Sequence, residues 1–217
     1  MNRPLVITLA VAAFVLAVVL TPAGLGAQAP AGGGQAPAAQ AAPAAPPARG
    51  VSIVNMIPIQ RAHADIAGNG IKGTMDIDEF TVAGGMLERI TVNVQGLPVG
   101  AHGMHIHSVG RCDGPDFATA GGHFDPGPYG NTDSDLNHPY HSGDLPNLNS
   151  SLAAGGGTNA STTVYSTRFT LSGPLSIAGP AGTSIIIHSA PDVMTTGQAG
   201  QMVGGGARIA CGVIRKL

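Results

Sequence analysis

The chain has 217 residues, a formal net charge of −2 at pH 7, 33 glycines and two cysteines. No cluster of lysine and arginine occurs in it, which argues against nucleic acid as a partner. The composition changes near residue 50, so we expect only the part after it to form a compact domain.

Residues 1–28 have the layout of a secretory signal peptide. A short basic start precedes a nearly unbroken apolar run over residues 5–20, and small residues follow. We therefore expect export to the periplasm or the cell envelope. The alternative is an uncleaved segment that tethers the protein to a membrane, although a span needs about 20 apolar residues and this run is slightly shorter.

Residues 29–50 consist almost entirely of Ala, Pro, Gly and Gln. They contain too few large apolar groups to offset the entropy lost on ordering, which predicts a disordered tether. Residues 51–217 then form the folded part, whose length fits one domain.

Short alternating runs separated by glycine-rich turns predict an all-β fold for this domain. Alternation of apolar and polar residues is clearest over residues 71–80 and 86–94. Further strands are predicted over residues 56–66, 101–107, 161–171, 183–188 and 208–214. This pattern favours an antiparallel sandwich or barrel.

The stretch 108–149 is predicted to be irregular. A connection of this length in a compact domain is normally functional or disordered. Because most of the histidines lie in it, we expect it to be functional and held by metal.

The two cysteines, Cys112 and Cys211, both lie in the predicted domain. An exported chain meets an oxidising compartment, so a disulfide is the default expectation, with two buried thiols as the alternative. The bridge would close a loop of 99 residues, which the chain-entropy estimate makes worth about 4–5 kcal/mol.

His105 and His107 are two residues apart on a predicted strand. Alternation places both side chains on one face, where two imidazoles can share a metal ion. Neutral imidazole suits copper and zinc. His102 is three residues before His105, so alternation turns its side chain to the other face of the strand. We expect it to form hydrogen bonds with the backbone and so support the site.

A second group lies in the long loop. His138 and His141 are three residues apart, and Asp144 follows three residues later. This spacing brings two imidazoles and a carboxylate together, as a metal site requires. The neighbouring Pro139 and Gly143 exclude an ordinary helix, which would give the same spacing.

Two further histidines stand alone in the sequence. His123 follows the pair Gly121 and Gly122, which lets the backbone approach closely. His188 ends a predicted strand, where functional residues often lie. Asp192 follows four residues later, in a position to orient a ligand imidazole through its second nitrogen.

In this order, these stretches resemble the copper/zinc superoxide dismutases of the exported bacterial type. The matching segments are residues 103–107, 121–126, 141–146, 187–188 and 206–214. The resemblance extends from about residue 51 to the C-terminus. It implies a flattened, eight-stranded antiparallel Greek-key barrel with long functional loops.

The resemblance implies copper and zinc as cofactors. It assigns copper to four histidines, namely His105, His107, His123 and His188. It assigns zinc to His123, which bridges the two ions, and to His138, His141 and Asp144.

The remaining roles also follow from the resemblance. Cys112 and Cys211 would form the family disulfide, and the guanidinium of Arg208 would lie beside copper. Asp192 would be the carboxylate that links the two sets of ligands.

The implied activity is disproportionation of superoxide to oxygen and hydrogen peroxide. Arg208 would hold the anion, and His123 would leave copper on reduction, pick up a proton and deliver it. The alternative is a copper-binding or copper-delivery protein on the same fold without turnover. A homodimer is left open.

Two features depart from the family pattern. His138 and His141 are closer together than the corresponding zinc histidines of typical members. The alternatives to His138 as the zinc ligand are Asp133 or Asp135, or a zinc site that is weak or empty. The loop over residues 192–207 contains no lysine or glutamate, where many relatives have charged residues that steer the anion. We therefore expect a weaker dependence of the rate on salt.

Overall fold

A computed structural model describes residues 57–127, 137–198 and 200–217. The predicted signal peptide and tether lie outside these ranges, as do Asp133 and Asp135. Within them, no helix is long and apolar enough to span a membrane. The elements are β1 (Gln60–Gly68), β2 (Ile71–Val82), β3 (Gly85–Gln95), β4 (Gly100–His107), a 3-10 helix (Ala118–Ala120), β5 (Asp144–Leu152), β6 (Thr158–Ser166), β7 (Thr183–His188) and β8 (Arg208–Lys216).

The eight strands close into one antiparallel barrel in the order β1-β2-β3-β6-β5-β4-β7-β8. Neighbours β1 and β2, and β2 and β3, are joined by short turns. By contrast, β3 pairs with β6, and β4 pairs with β7, so the connections cross the barrel ends in a Greek-key pattern. The predicted all-β barrel of eight strands is confirmed.

The alternation seen in the sequence sorts side chains between the interior and the solvent. In β2, Ile71, Met75 and Ile77 are buried, whereas Lys72 and Asp76 between them are exposed. The same alternation recurs in β1 and β3, whereas β7 and most of β4 are buried on both faces, and together the strands build one main hydrophobic core. Its largest fully buried members include Ile90, Leu97, Met104, Ile106, Leu148, Phe169, Leu171 and Ile185.

Three predicted boundaries differ from the structure. The stretch 108–149 is not irregular to its end, because β5 begins at Asp144 and pairs with β4 and β6. Pro146, Asn147 and Asn149 disfavour strands by local propensity, so tertiary pairing decides this element. β6 spans Thr158–Ser166 rather than 161–171, and β1 begins at Gln60.

Backbone contacts attach the long loop to β4. The amide of Ile106 donates to the carbonyl of Gly143 at 2.9 Å, and the amide of Phe124 donates to the carbonyl of Ile106 at 2.8 Å. A Cβ atom at Gly143 would lie 2.3 Å from the Ile106 oxygen, so only glycine allows this approach. The loop therefore lies beside the strand that carries the paired histidines.

The disulfide predicted from the sequence is present. Cys112 in the loop is bonded to Cys211 on β8, with a Cα–Cα distance of 5.7 Å. It ties the start of the long loop to the barrel, on the strand that also carries Arg208.

Candidate metal centre

The structure gathers the predicted metal-binding residues into two adjoining clusters. In each cluster one ligand atom per residue lies within 4.8 Å of all the others. The first consists of His105, His107, His123 and His188, and the second of His105, His123, His138 and Asp144. The first is the predicted copper set. The second includes three of the four predicted zinc residues.

Each non-bridging histidine of the first cluster uses one ring nitrogen for a hydrogen bond. Nδ1 of His107 donates to the carbonyl of Gly121 at 2.9 Å, and Nδ1 of His188 donates to that of Gly206 at 2.9 Å. Nε2 of His105 bonds to a carboxylate oxygen at 2.9 Å. These bonds fix the orientation of each ring and leave its other nitrogen for a metal ion.

The second ring nitrogens of these three histidines are available to bind a copper ion. Nδ1 of His105, Nε2 of His107 and Nε2 of His188 are buried and have no hydrogen-bond partner among the described residues. An unpaired buried nitrogen costs free energy unless something binds it. Three converging imidazoles with His123 beside them suit copper. The residues present therefore fit the ion that the sequence predicts.

Asp144 organises the second cluster. Its Oδ1 lies 2.7 Å from Nδ1 of His123, and its Oδ2 lies 3.0 Å from Nδ1 of His141 and 3.4 Å from Nδ1 of His138. Three imidazoles thus face one carboxylate, which is a donor set that zinc accepts. Asp133 and Asp135, the alternatives to His138, lie outside the described residues.

Asp192 lies behind both clusters and joins them. Its Oδ2 accepts a hydrogen bond from Nε2 of His105 at 2.9 Å, and its Oδ1 accepts one from Nε2 of His138 at 2.7 Å. Asn147 fixes the backbone of Asp192 from both sides, donating to its carbonyl at 2.9 Å and accepting from its amide at 2.8 Å. Nothing in the local sequence marks Asn147, because its partner is 45 residues away.

His102 has the bracing role expected from its parity. Its Nδ1 lies 2.8 Å from the carbonyl oxygen of His188, and its Nε2 lies 2.9 Å from that of Pro98. It thereby links the end of β7 to the turn before β4.

Burial favours the neutral, metal-binding form of His107, His123 and His188 by lowering their pKa values. It lowers the pKa of His188 to about 3 and that of His123 to about 4, although Asp144 opposes the shift at His123. Burial also lowers the pKa of His107 well below its ordinary value.

Around the second cluster, contacts between histidines and carboxylates determine the direction of the pKa shifts. Burial alone would lower the pKa of His138, but Asp144 and Asp192 outweigh it and raise that pKa to about 9. Burial would likewise raise the pKa of Asp144, yet hydrogen bonds from three histidines hold it far below its usual range. At Asp192, hydrogen bonds from His105 and His138 likewise outweigh burial and lower the pKa. Both carboxylates are therefore ionised and can neutralise a cation.

A small cavity of about 90 Å³ opens beside the first cluster. Arg208 borders it, and its guanidinium is held by two backbone carbonyls, that of Phe117 at 2.8 Å and that of Gly121 at 2.7 Å. These two carbonyls are contacts that the sequence did not reveal. The other lining residues are His107, His123, His188, Met202, Gly204 and Gly206.

The comparison with known proteins now decides the family. The profile of the family described as copper/zinc superoxide dismutase (SODC) matches residues 71–214. This chain belongs to that family. The match spans β2 to the greater part of β8 and includes every residue of both clusters.

Similar proteins come from bacteria and plants. The chain is 37% identical to a Cu-Zn superoxide dismutase of Deinococcus radiodurans over 139 residues, covering 59% of this chain and 71% of that protein. It is 35% identical to Cu-Zn superoxide dismutase 2 of Brassica juncea over 158 residues, covering 68% and 91%. A crystal structure of a SOD-like protein from Bacillus subtilis is 31% identical, covers 70% of this chain and 96% of that chain, and has a TM-score of 0.56.

Proposed function

We propose that this protein is an exported superoxide dismutase, with copper on His105, His107, His123 and His188. Zinc would be held by His123, His138, His141 and Asp144. The observation that carries the proposal is the set of buried, unpaired imidazole nitrogens that converge beside the cavity bordered by Arg208. One superoxide ion is oxidised to oxygen, and a second, with two protons, is reduced to hydrogen peroxide.

The one-electron oxidation and reduction of superoxide is the chemistry that copper supplies when bound. Arg208 attracts the anion into the cavity and orients it, because its backbone contacts hold the planar guanidinium in place. His123 borders the same cavity, so a proton held on its Nε2 would lie beside the departing anion.

Superoxide consumption by the purified full chain, loaded with both metals, tests the proposal. We expect rapid consumption that cyanide inhibits, and a loss of about tenfold or more in Arg208→Ala with the copper content unchanged. Arg208→Lys keeps the charge but not the paired donors, and should retain part of the rate. Unchanged activity in Arg208→Ala would refute the role of Arg208 in docking.

A copper-binding or copper-delivery protein is the second candidate. The similar structure from Bacillus subtilis is described as SOD-like, so proteins of this fold include ones that are not named as the enzyme. The four histidines of the first cluster, with Arg208 beside them, favour the enzyme over this candidate. Tight copper binding without superoxide consumption in the same assay would favour this candidate.

The location of the protein is part of the proposal. The basic start, the apolar run and the disulfide support export to the periplasm or the cell envelope. Cell fractionation with N-terminal sequencing separates a cleaved signal peptide from a retained membrane tether. Sizing by light scattering determines whether the protein is a homodimer.

A further inference from the structure

The two glutamates of this chain face each other inside the barrel. The 217 residues contain only Glu79 and Glu88 of this type. They are register partners on β2 and β3, and both are 0% exposed. Ionisable side chains are almost never fully buried unless they are paired, so this arrangement needs a physical explanation.

The pair belongs to a polar row across four neighbouring strands. Gln60 on β1 is the register partner of Glu79, and Ser166 on β6 is the register partner of Glu88. Strand alternation turns all four side chains to the barrel interior. The neighbours on both sides of the two glutamates are therefore uncharged.

Few donors reach the carboxylate oxygens. Oε2 of Glu79 accepts a hydrogen bond from the amide of Leu171 at 2.6 Å. Oε1 of Glu79 and both oxygens of Glu88 are buried and, among the described residues, meet no donor unless a carboxyl group is protonated. Because Glu79 and Glu88 are direct register partners on the interior face, their Cβ atoms are about 4.5–5.5 Å apart and their carboxyl groups lie side by side.

The cations of the surrounding elements are engaged elsewhere. Arg61 and Arg89 pair with Asp78, which has the opposite parity to Glu79 on β2. Lys216 and Arg168 donate to backbone carbonyls. Among the described residues, no cation forms a salt bridge with either glutamate, so two negative charges would face each other in a dry interior.

We propose that Glu79 and Glu88 share one proton at neutral pH, which makes the barrel interior a proton-binding site that is lost in mild alkali. A proton between the two groups supplies the missing donor and removes one of the two buried charges. The amide of Leu171, which donates to Oε2 of Glu79, stabilises the negative charge left on the pair. Repulsion between two close negative charges keeps one carboxyl group protonated in the carboxylate pairs of other proteins as well.

The shared proton should make the free energy of unfolding depend on pH, because the folded and unfolded states bind it with different affinity. Burial, reinforced by the charge of Glu79, raises the pKa of Glu88 from 4.5 to about 8. The folded state therefore binds this proton more tightly than the unfolded chain. The contribution of this proton to the stability of the fold is complete below pH 4.5, declines as pH rises towards 8, and levels off above that. One proton changes the unfolding equilibrium constant by at most about tenfold per pH unit.

Carbon-13 labelling of the glutamate carboxyl groups tests the proposal directly, because the chain has only two of them. In the metal-loaded full chain at pH 7, we expect the pair to carry one proton and to release it with a midpoint near 8. Two ionised carboxyl groups at pH 6 would overturn the proposal. So would two ionised groups whose signals shift on adding calcium or magnesium chloride, because a cation would then replace the proton.

Glu88→Gln supplies an independent measurement, because glutamine mimics the neutral acid in shape. We expect the variant to gain stability relative to the wild type as pH rises from 5 to 8 and to keep that gain at pH 9. The difference between the two proteins removes the titration of the metal-binding histidines, which they share. Asp113→Asn, an exposed change beside an arginine and away from the titrating histidines, is the control. A difference that is constant from pH 5 to 9 would contradict the proposal, and the labelling experiment decides if the variant does not fold.

Discussion

Nε2 of His138 donates to the carboxylate of Asp192 at 2.7 Å, although the two residues are 54 positions apart. The same carboxylate holds His105 of the first cluster at 2.9 Å. One buried side chain therefore orients one histidine of each cluster. His138, whose place in the sequence departs from the family pattern, is connected to the centre through this contact and through Asp144.

Replacing this carboxylate should weaken both halves of the centre. Asp192→Asn keeps the shape but loses the charge and one acceptor, so we expect the affinity for metal to fall by roughly 10- to 100-fold. Competition with a chelator, followed by metal analysis, measures it. Asp113→Asn is a control at an exposed position. Wild-type retention of both metals in Asp192→Asn would show that the contact is dispensable.

A methyl group at Gly204 should disturb the histidines of the centre. Its Cβ would lie 3.1 Å from Cε1 of His105 and 3.2 Å from Cε1 of His123, so the rings or the loop must shift. Because small misplacements at a reacting centre are costly, we expect the Gly204→Ala rate to fall about tenfold. Superoxide consumption and the copper EPR spectrum measure the effect. Gly155→Ala, where a Cβ meets open space, should change neither.

The strands were predictable where the sequence alternates. β2 and β3 alternate over most of their length, and the structure has both close to the predicted bounds. β5 was missed because its proline and asparagines disfavour a strand locally, while pairing with β4 and β6 stabilises it. Propensity describes a segment alone, whereas sheet pairing depends on residues far along the chain.

The candidate site was also predictable only in part. The residues of both clusters could be proposed because each lies in a short segment with a specific order. The hydrogen bonds that orient them could not. Gly121 and Phe117 hold Arg208 through backbone oxygens, which any residue type supplies, and Asn147 contacts Asp192 across 45 positions.

The cavity mouth should show little electrostatic steering. Residues 193–207 contain no charged side chain, so Arg208 attracts superoxide without help from this loop. We expect the rate to fall only slightly with ionic strength. Met202 borders the cavity and is 58% exposed. Met202→Lys should therefore raise the rate at low salt and steepen its salt dependence.

Met194→Lys is the matched control for this experiment. Met194 lies in the same loop, also has a positive φ and is 40% exposed, but it does not line the cavity. Rates over a range of salt concentrations should separate the two variants. A steep salt dependence in the wild type would contradict the prediction.

His63 on β1 should titrate above its ordinary value. A hydrogen bond from Nδ1 to Asp76 at 2.7 Å outweighs the slight burial and raises the pKa of His63 above 6.5. This contact stabilises the fold below pH 6.5, and its contribution is lost as pH rises through the raised pKa. NMR titration should show the midpoint moving down in Asp76→Asn. Asp65→Asn, which removes a contact of 3.4 Å, should move it less.

Among the described residues, the pairing of β1 with β8 closes the barrel, so each strand has a neighbour on both sides. An open edge offers unpaired amide and carbonyl groups to a neighbouring chain, and closure removes them. Closure therefore disfavours association of two copies by adding strand to strand along the sheet. Association through side-chain surfaces or loops is favoured instead, which makes it sensitive to substitutions on the outside of the barrel.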